Sequence, residues 1–221
     1  MTTRTTSLCF SLFTLLLTAG AWSQETPPPS PLPPDGGPVP IEVYGCDLKE
    51  GAGLGDLDAL HERYNAILDR NEITNVAAFI LTPIFRGASD PYDFLYMERW
   101  ASGAAMGAGH AMKRSDAFQP LLSEWGEVIE CPSHRYFVGV LVAAPAAARN
   151  EAEEAPFQMM GCSLNEGKTV VDAAQAISAW AEAESATPDG NRRAGHAVWL
   201  PAAGEEPDAD YTLKWTILFT S

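Results

Sequence analysis

The chain carries nearly the same passage twice. Tyr44-Gly45-Cys46-Asp47-Leu48-Lys49-Glu50-Gly51 is echoed by Met160-Gly161-Cys162-Ser163-Leu164-Asn165-Glu166-Gly167 at an offset of 116 residues, and the spacing runs on without a gap for about a dozen more. A duplication of this length constrains architecture before any local motif does, because each copy must form the same kind of unit. Repeats of roughly one hundred residues favour two small units over one large one. The second copy reaches Ser221 well short of where the first finishes. Two accounts are open: a truncated or fragmentary chain, or a short form whose partner completes the sheet.

The first copy reads as alternating strands and helices. Ile41 to Cys46 is β-prone and follows a proline, giving strand one. Leu57, Leu60, Tyr64 and Ile67-Leu68 recur at helical spacing. Val76 to Ile84 is a continuous apolar strand, and Phe94 to Trp100 a third after the turn at Pro91 and Asp93. A second helix is expected from about Ala104 to Val128, interrupted near Gln119-Pro120, with Tyr136 to Val142 as strand four. The order βαββαβ is the ferredoxin-like split unit, an α+β class, and right-handed crossovers predict the strand order 4-1-3-2.

The second copy predicts a strand at Phe157–Cys162, a helix from Val170 to Glu184, and strands near His196–Leu200 and Tyr211–Thr220. Its landmarks are Asp172 for Asp56, Trp180 for Tyr64, Pro201 for Pro83, and Asp210-Tyr211 for Asp93-Phe94. It lacks a second helix and a fourth strand. Its first strand is therefore expected at an open edge, where unpaired backbone invites self-association. The domain division is thus 41–143 for repeat one, 144–156 for a linker and 157–221 for an incomplete repeat two.

The first residues read as an address. Arg4, an apolar stretch from Leu8 to Leu17 and small residues at Ala19, Ala21 and Ser23 predict a signal peptide over 1–23, cleaved after Ser23 or Ala21. The apolar run is too short to span a bilayer. Residues 24–40 are dominated by proline and read as an extended spacer. A periplasmic or secreted protein follows, with no membrane contact after cleavage. The formal charge of −15, which becomes −16 without Arg4, excludes nucleic acid as a partner.

Export changes how the cysteines read. Once Cys9 is removed, Cys46, Cys131 and Cys162 remain where disulfides persist. Cys46 ends strand one and Cys131 approaches strand four. In a 4-1-3-2 sheet these are antiparallel neighbours, so the two cysteines arrive at the same end. Such a bond would stabilise by about 3–4 kcal/mol. The competing pair is Cys46 with Cys162.

No catalytic signature stands out. Glu166-Gly167-Lys168-Thr169 falls one residue off the phosphate-loop spacing from Gly161 and reads instead as a helix start, capped by Thr169 with Asp172 in the first turn. The glycines at 51–55 read as a strand-to-helix turn. Those from Gly103 to Gly109 read as a site of close helix packing, with room for a ligand beneath the helix as the alternative. His61, His110, His134 and His196 are scattered and meet no zinc spacing. Glu42 or Glu98 would serve as a general acid only if burial raised its pKa. No metal or cofactor motif is present.

The Gly-Cys-x-Leu-x-Glu-Gly passage, Trp100-Ala101-Ser102-Gly103 running on to Gly109, Cys131 with His134, and the second Gly-Cys resemble a family of secreted bacterial proteins with two ferredoxin-like repeats. Their unit is similar to that of the dimeric α+β-barrel superfamily, in which two such units enclose a cavity. The resemblance implies no particular activity: some members of the superfamily are cofactor-free monooxygenases, and others bind haem. The leading expectation is a non-catalytic protein holding an apolar or aromatic small molecule. Tyr96, Glu98 and Trp100 share one strand face, and Tyr44 and Trp199 are further lining candidates. The alternatives are a cofactor-free oxygenase-like or haem-binding barrel enzyme, and a structural protein of the envelope.

Overall fold

The computed structural model describes residues 37–84, 91–144, 155–186, 194–204 and 211–219. The expected signal peptide, residues 24–36 of the Pro-rich spacer and most of the 144–156 linker lie outside the described residues, while Val39 and Pro40, expected in the spacer, already belong to the first strand. Strand β1 (Val39–Leu48) is followed by α1 (Leu54–Arg70), β2 (Val76–Leu81) and β3 (Phe94–Trp100). Next come α2 (Gly103–Lys113), α3 (Gln119–Val128) and β4 (Ile129–Ala143). The second half contributes β5 (Phe157–Cys162), α4 (Val170–Ser185), β6 (Ala194–Ala203) and β7 (Leu213–Phe219).

All neighbouring strands are antiparallel, in a single seven-stranded sheet of order β2-β3-β1-β4-β6-β7-β5. The first four strands follow the order expected from the sequence. Two sheets facing each other were expected; instead β4 pairs with β6, Val140 opposite Val198, and joins the halves into one sheet. The sheet curls, bringing Met159 of β5 and Lys214 of β7 to Val43, Arg135 and Phe137 around a cavity of about 20 Å³. That is room for about one water molecule.

Alternation along β1 sorts two cores. Val39, Ile41 and Val43 point inside the curl with Met97, Phe137 and Trp199. There Trp199 lies between Phe137 and Phe157, with ring centroids at 5.8 and 5.9 Å. Cys46 and Tyr44 point the other way, under the helices, with Leu57, Phe94, Tyr96 and Ile129. The expected apolar stripe of α1, Leu57, Leu60, Tyr64, Ile67 and Leu68, is wholly buried. The second helix is indeed broken: residues between Lys113 and Gln119 leave the helical path, and Pro120 sits in the first turn of α3 where its missing N–H costs nothing. Thr169 caps α4 as expected, its Oγ1 accepting from the Asp172 N–H while Asp172 Oδ2 accepts from the Thr169 N–H at 2.8 Å.

Strand four begins at Ile129, seven residues before the expected Tyr136. Pro132 lies in this early stretch and, lacking an N–H, cannot donate to a sheet ladder. A bulge accommodates it: Gly45 faces Ser133 but Asp47 faces Glu130, so β4 carries one extra residue against Cys46. Cys46 and Cys131 form a disulfide across this irregularity, Cα atoms 4.0 Å apart.

The duplication needs one correction. Tyr211 stands against Gly161 as Tyr92 stands against Gly45, and the Thr212 N–H bonds the Cys162 carbonyl as the Asp93 N–H bonds that of Cys46. Tyr211 therefore corresponds to Tyr92 rather than Phe94. The connection between β6 and β7 shifted the register, which a gapless comparison could not reveal.

Replacing Cys46 and Cys131 together by alanine should lower unfolding free energy by about 3–4 kcal/mol, read from urea denaturation under oxidising conditions. Under reducing conditions the native chain should fall to the level of the double variant.

Candidate functional site: a buried carboxylate pair beneath the second helix

Glu42 and Glu98 face each other across β1 and β3, on the helix-covered side, and their exposures are 0% and 1%. Like charges directly opposite in a sheet repel, and an isolated buried carboxylate is untenable. The surrounding side chains resolve both problems. Glu42 Oε2 accepts from Trp100 Nε1 at 2.9 Å and His110 Nε2 at 2.9 Å. Its Oε1 accepts from Tyr44 Oη at 3.2 Å and His134 Nε2 at 3.1 Å. Glu98 accepts from Tyr64 Oη at 2.8 Å and from Lys113 Nζ at 2.5 Å. The Lys113 ammonium also sits 5.6 Å from the ring centres of both Tyr64 and Trp100.

Local sequence explains how these groups meet. His110 and Lys113 are three apart on α2 and share a face, so one helix supplies a donor to each carboxylate. The helix can lie low because Gly109 has no side chain: a Cβ there would come 2.0 Å from the Trp100 indole. Ser102 starts α2, its Oγ accepting from the Ala105 N–H at 3.1 Å. On β4, His134 and Tyr136 are two apart and face the same way. The His134 ring stacks on Tyr44 at 4.0 Å. His110, Lys113 and His134 keep a fifth to a third of their side-chain surface in solvent, so they form the outer rim over a dry interior.

The electrostatics describe a fixed anion. Burial alone would raise the Glu42 pKa; hydrogen bonds from His134 and His110 and the charge of Lys113 outweigh it and hold the carboxyl far below its ordinary range. Burial, reinforced by Glu98, pushes the Tyr44, Tyr64 and Tyr96 hydroxyls well up, so they remain protonated. Each oxygen of Glu42 already accepts two hydrogen bonds, which fills its capacity. Such a carboxylate is a poor proton acceptor near neutrality, where a general base needs a matched pKa. Among the described residues no group of His, Cys, Asp or Glu side chains is disposed to hold a metal ion.

The five lining candidates divide between faces. Tyr44, Tyr96, Glu98 and Trp100 lie under the helices, and Trp199 lies inside the curl. Tyr96, which touches Tyr44, His61 and Trp125, keeps a buried hydroxyl with no hydrogen-bond partner among the described residues. Sequence reasoning named Glu42 and His110 but assembled neither; it placed Tyr64 on the helical stripe and Tyr136 in strand four without giving either a part in a site, and it did not single out Lys113. The available signal was polar–aromatic alternation in strands: Glu42-x-Tyr44, Tyr96-x-Glu98-x-Trp100 and His134-x-Tyr136.

A second feature is open to solvent. Between α4 and the floor of β4 and β6 runs a groove of about 400 Å³, lined chiefly by Val140, Val170, Val171, Ala174, Val198 and Leu200.

No protein-family model matches the chain, and no curated protein matches it at a significant level. Solved structures similar to it include a provisionally assigned chlorite dismutase, TA0507, at 11% identity and a TM-score of 0.42, covering 83% of this chain and 80% of that one. Chlorite dismutase from Candidatus Nitrospira defluvii in complex with imidazole is similar at 7% identity and a TM-score of 0.42, covering 83% and 77%. Likeness at this level carries no inference about chemistry.

Because the folded pKa of Glu42 lies below its ordinary 4.5, the unfolded chain takes up the proton first as pH falls. The stabilisation is complete above about pH 4.5 and drains away below it. Glu42→Gln should therefore flatten the acid limb of stability against pH by up to one proton, about 1.4 kcal/mol per pH unit. Urea unfolding between about pH 2.5 and 5 would read this slope. Lys113→Met strands the buried Glu98 charge and should cost about 3–5 kcal/mol at neutral pH. Adding Glu98→Gln should recover much of that loss, in the same denaturation assay.

Proposed function

We propose that this chain is a non-catalytic binding protein that holds a small apolar molecule in the groove between α4 and strands β4 and β6. The groove itself carries the reading: at about 400 Å³ it has the size of a small-ligand site, and valine, leucine and alanine supply most of its lining. Its apolar walls favour a ligand bound by burial rather than by charge. Glu42 supports the non-catalytic part, since both of its oxygens are saturated by internal donors.

The reading has an architectural side. The chain is taken as two ferredoxin-like units in tandem, β1 to β4 with three helices and β5 to β7 with one, fused edge to edge through β4 and β6. It is further taken as an exported protein, on the strength of Arg4, the Leu8 to Leu17 stretch and the small residues after it. A disulfide bracing β1 to β4 is compatible with that destination.

A neutral naphthylamine dye, whose fluorescence rises in apolar surroundings, tests the site. The native chain should show saturable enhancement. Ala174→Trp, which fills the groove, and Val140→Glu, which charges its floor, should each weaken dye binding at least about tenfold, roughly 1.4 kcal/mol. Undiminished binding by both variants, with unchanged far-ultraviolet circular dichroism, would remove the groove as the ligand site.

A further inference from the structure

The halves of the molecule differ most where they should be most alike. Trp180 on α4 occupies the position of Tyr64 on α1, at the repeat offset of 116 residues. Tyr64 is 0% exposed, because Phe118 and Trp125 pack edge-on against its ring and Leu121 joins the same cluster. Trp180 is 61% exposed and touches Trp215. Strand β1 is paired on both sides, by β3 and β4, whereas its counterpart β5 ends the sheet beyond β7. Cys46 is bonded to Cys131 of β4, whereas its counterpart Cys162 is a free thiol. A buried position turned outward, a central strand turned edge, and a bridged cysteine left free come together on α4, β7 and β5: Trp180 touches Trp215 of β7, which pairs with β5, the strand of Cys162. In the first half a single passage, α3 followed by β4, satisfies all three.

We infer that this face is an interaction surface for a helix–strand segment, of defined chemistry, that the described residues do not supply. The helix would present an aromatic, a leucine and an aromatic in the spacing of Phe118, Leu121 and Trp125, and would cover Trp180 and Trp215. The strand would pair antiparallel with β5 and bring a cysteine to Cys162. The inference rests on the two-unit reading above. The apolar area and the edge are complementary demands: a helix alone leaves the β5 backbone unpaired, and a strand alone leaves Trp180 in water. With oxidised glutathione as oxidant, the Cys162 thiolate attacks its disulfide and expels one glutathione thiolate. The thiolate of the docked segment then attacks the mixed disulfide and expels the second. Two protein thiols are oxidised and one glutathione disulfide is reduced.

The first half supplies its own probe. The full chain is incubated with oxidised glutathione and a synthetic peptide spanning residues 117–143, which carries Phe118, Leu121, Trp125 and Cys131. Docking raises the local thiol concentration, so the bond from Cys162 to the peptide should form at least about tenfold faster than with a scrambled peptide of the same composition. Trp180→Asp, a change at an exposed position, should bring the rate down to the scrambled level. Equal rates for native and scrambled peptide overturn the inference. So does a Cys162–Cys162 dimer as the main product, which would make the face a contact between two copies.

Hydrogen exchange of Phe157–Cys162 separates the inference from the reading beneath it. Alternate amides of an edge strand should be protected in the free chain, and the unprotected ones should gain protection with the peptide. Continuous protection in the free chain would overturn the two-unit reading itself. Alternating protection that the peptide leaves unchanged would overturn the docking inference alone.

Discussion

The placement of Glu42 opposite Glu98 is the constraint around which the first half is organised. Two carboxylates about 5 Å apart repel by about 3 kcal/mol even at an effective dielectric near 20, before either is charged for leaving water. Nothing on β1 or β3 is cationic on that face, so relief must come from elsewhere in the chain. Lys113 and His110 come from α2, His134 from β4 and Tyr64 from α1. The anions thus tie three separate elements to one spot on the sheet. A helix held by apolar contacts alone can slide; one that must deliver Lys113 to Glu98 and His110 to Glu42 cannot shift by a turn without stranding both charges.

The same demand propagates into the backbone. His134 reaches Glu42 only if β4 keeps its present register, because a slip of one residue would turn His134 and Tyr136 to the opposite face. The bulge at Cys131 and Pro132 sets that register, and the Cys46–Cys131 bond fixes it. Trp100 reaches Glu42 only beneath a helix with no side chain at position 109. The second half has none of this. In its matching register Gln158 faces Ile217 where Glu42 faces Glu98, so no anion pair calls for a covering cation. Its own buried polar contact is different, His196 receiving the Trp215 indole N–H and lying 3.2 Å from Glu184.

Much of this was legible in the sequence and some was not, for identifiable reasons. Strand β3 and strand β5 were readable to the residue, because each is a short apolar run bounded by a turn or a proline. The α1 stripe was readable because its apolar residues recur at helical spacing, and the Cys46–Cys131 pair because strand order fixes neighbours. The early start of β4 was hidden by Pro132, whose local preference opposes a strand until the bulge absorbs it. The β6–β7 offset was hidden by a change in connection length. The network was hidden for a deeper reason. Glu42, Tyr64, Glu98, His110, Lys113 and His134 belong to five different elements, and no local spacing relates them. Only the polar–aromatic alternation marked their strands as unusual for a buried face.

Strand β4 links the two features of the covered side. Along its helix-facing edge His134 and Tyr136 attend the anion pair, and Val138 and Val140 follow at the same two-residue period. Val138 is exposed, and Val140 forms part of the groove floor beside α4. One register therefore places both the carboxylate donors and the apolar lining. Against β1 the strand keeps one register from Ser133 to Gly139, whereas its pairing with β6 shifts between Tyr136 and Phe137. The bulge facing β1 lies on the far side of His134 from the groove, and the irregularity facing β6 falls between the two. The polar network and the groove thus share one strand, and the register against β1 that brings His134 to Glu42 also sets which face Val140 presents.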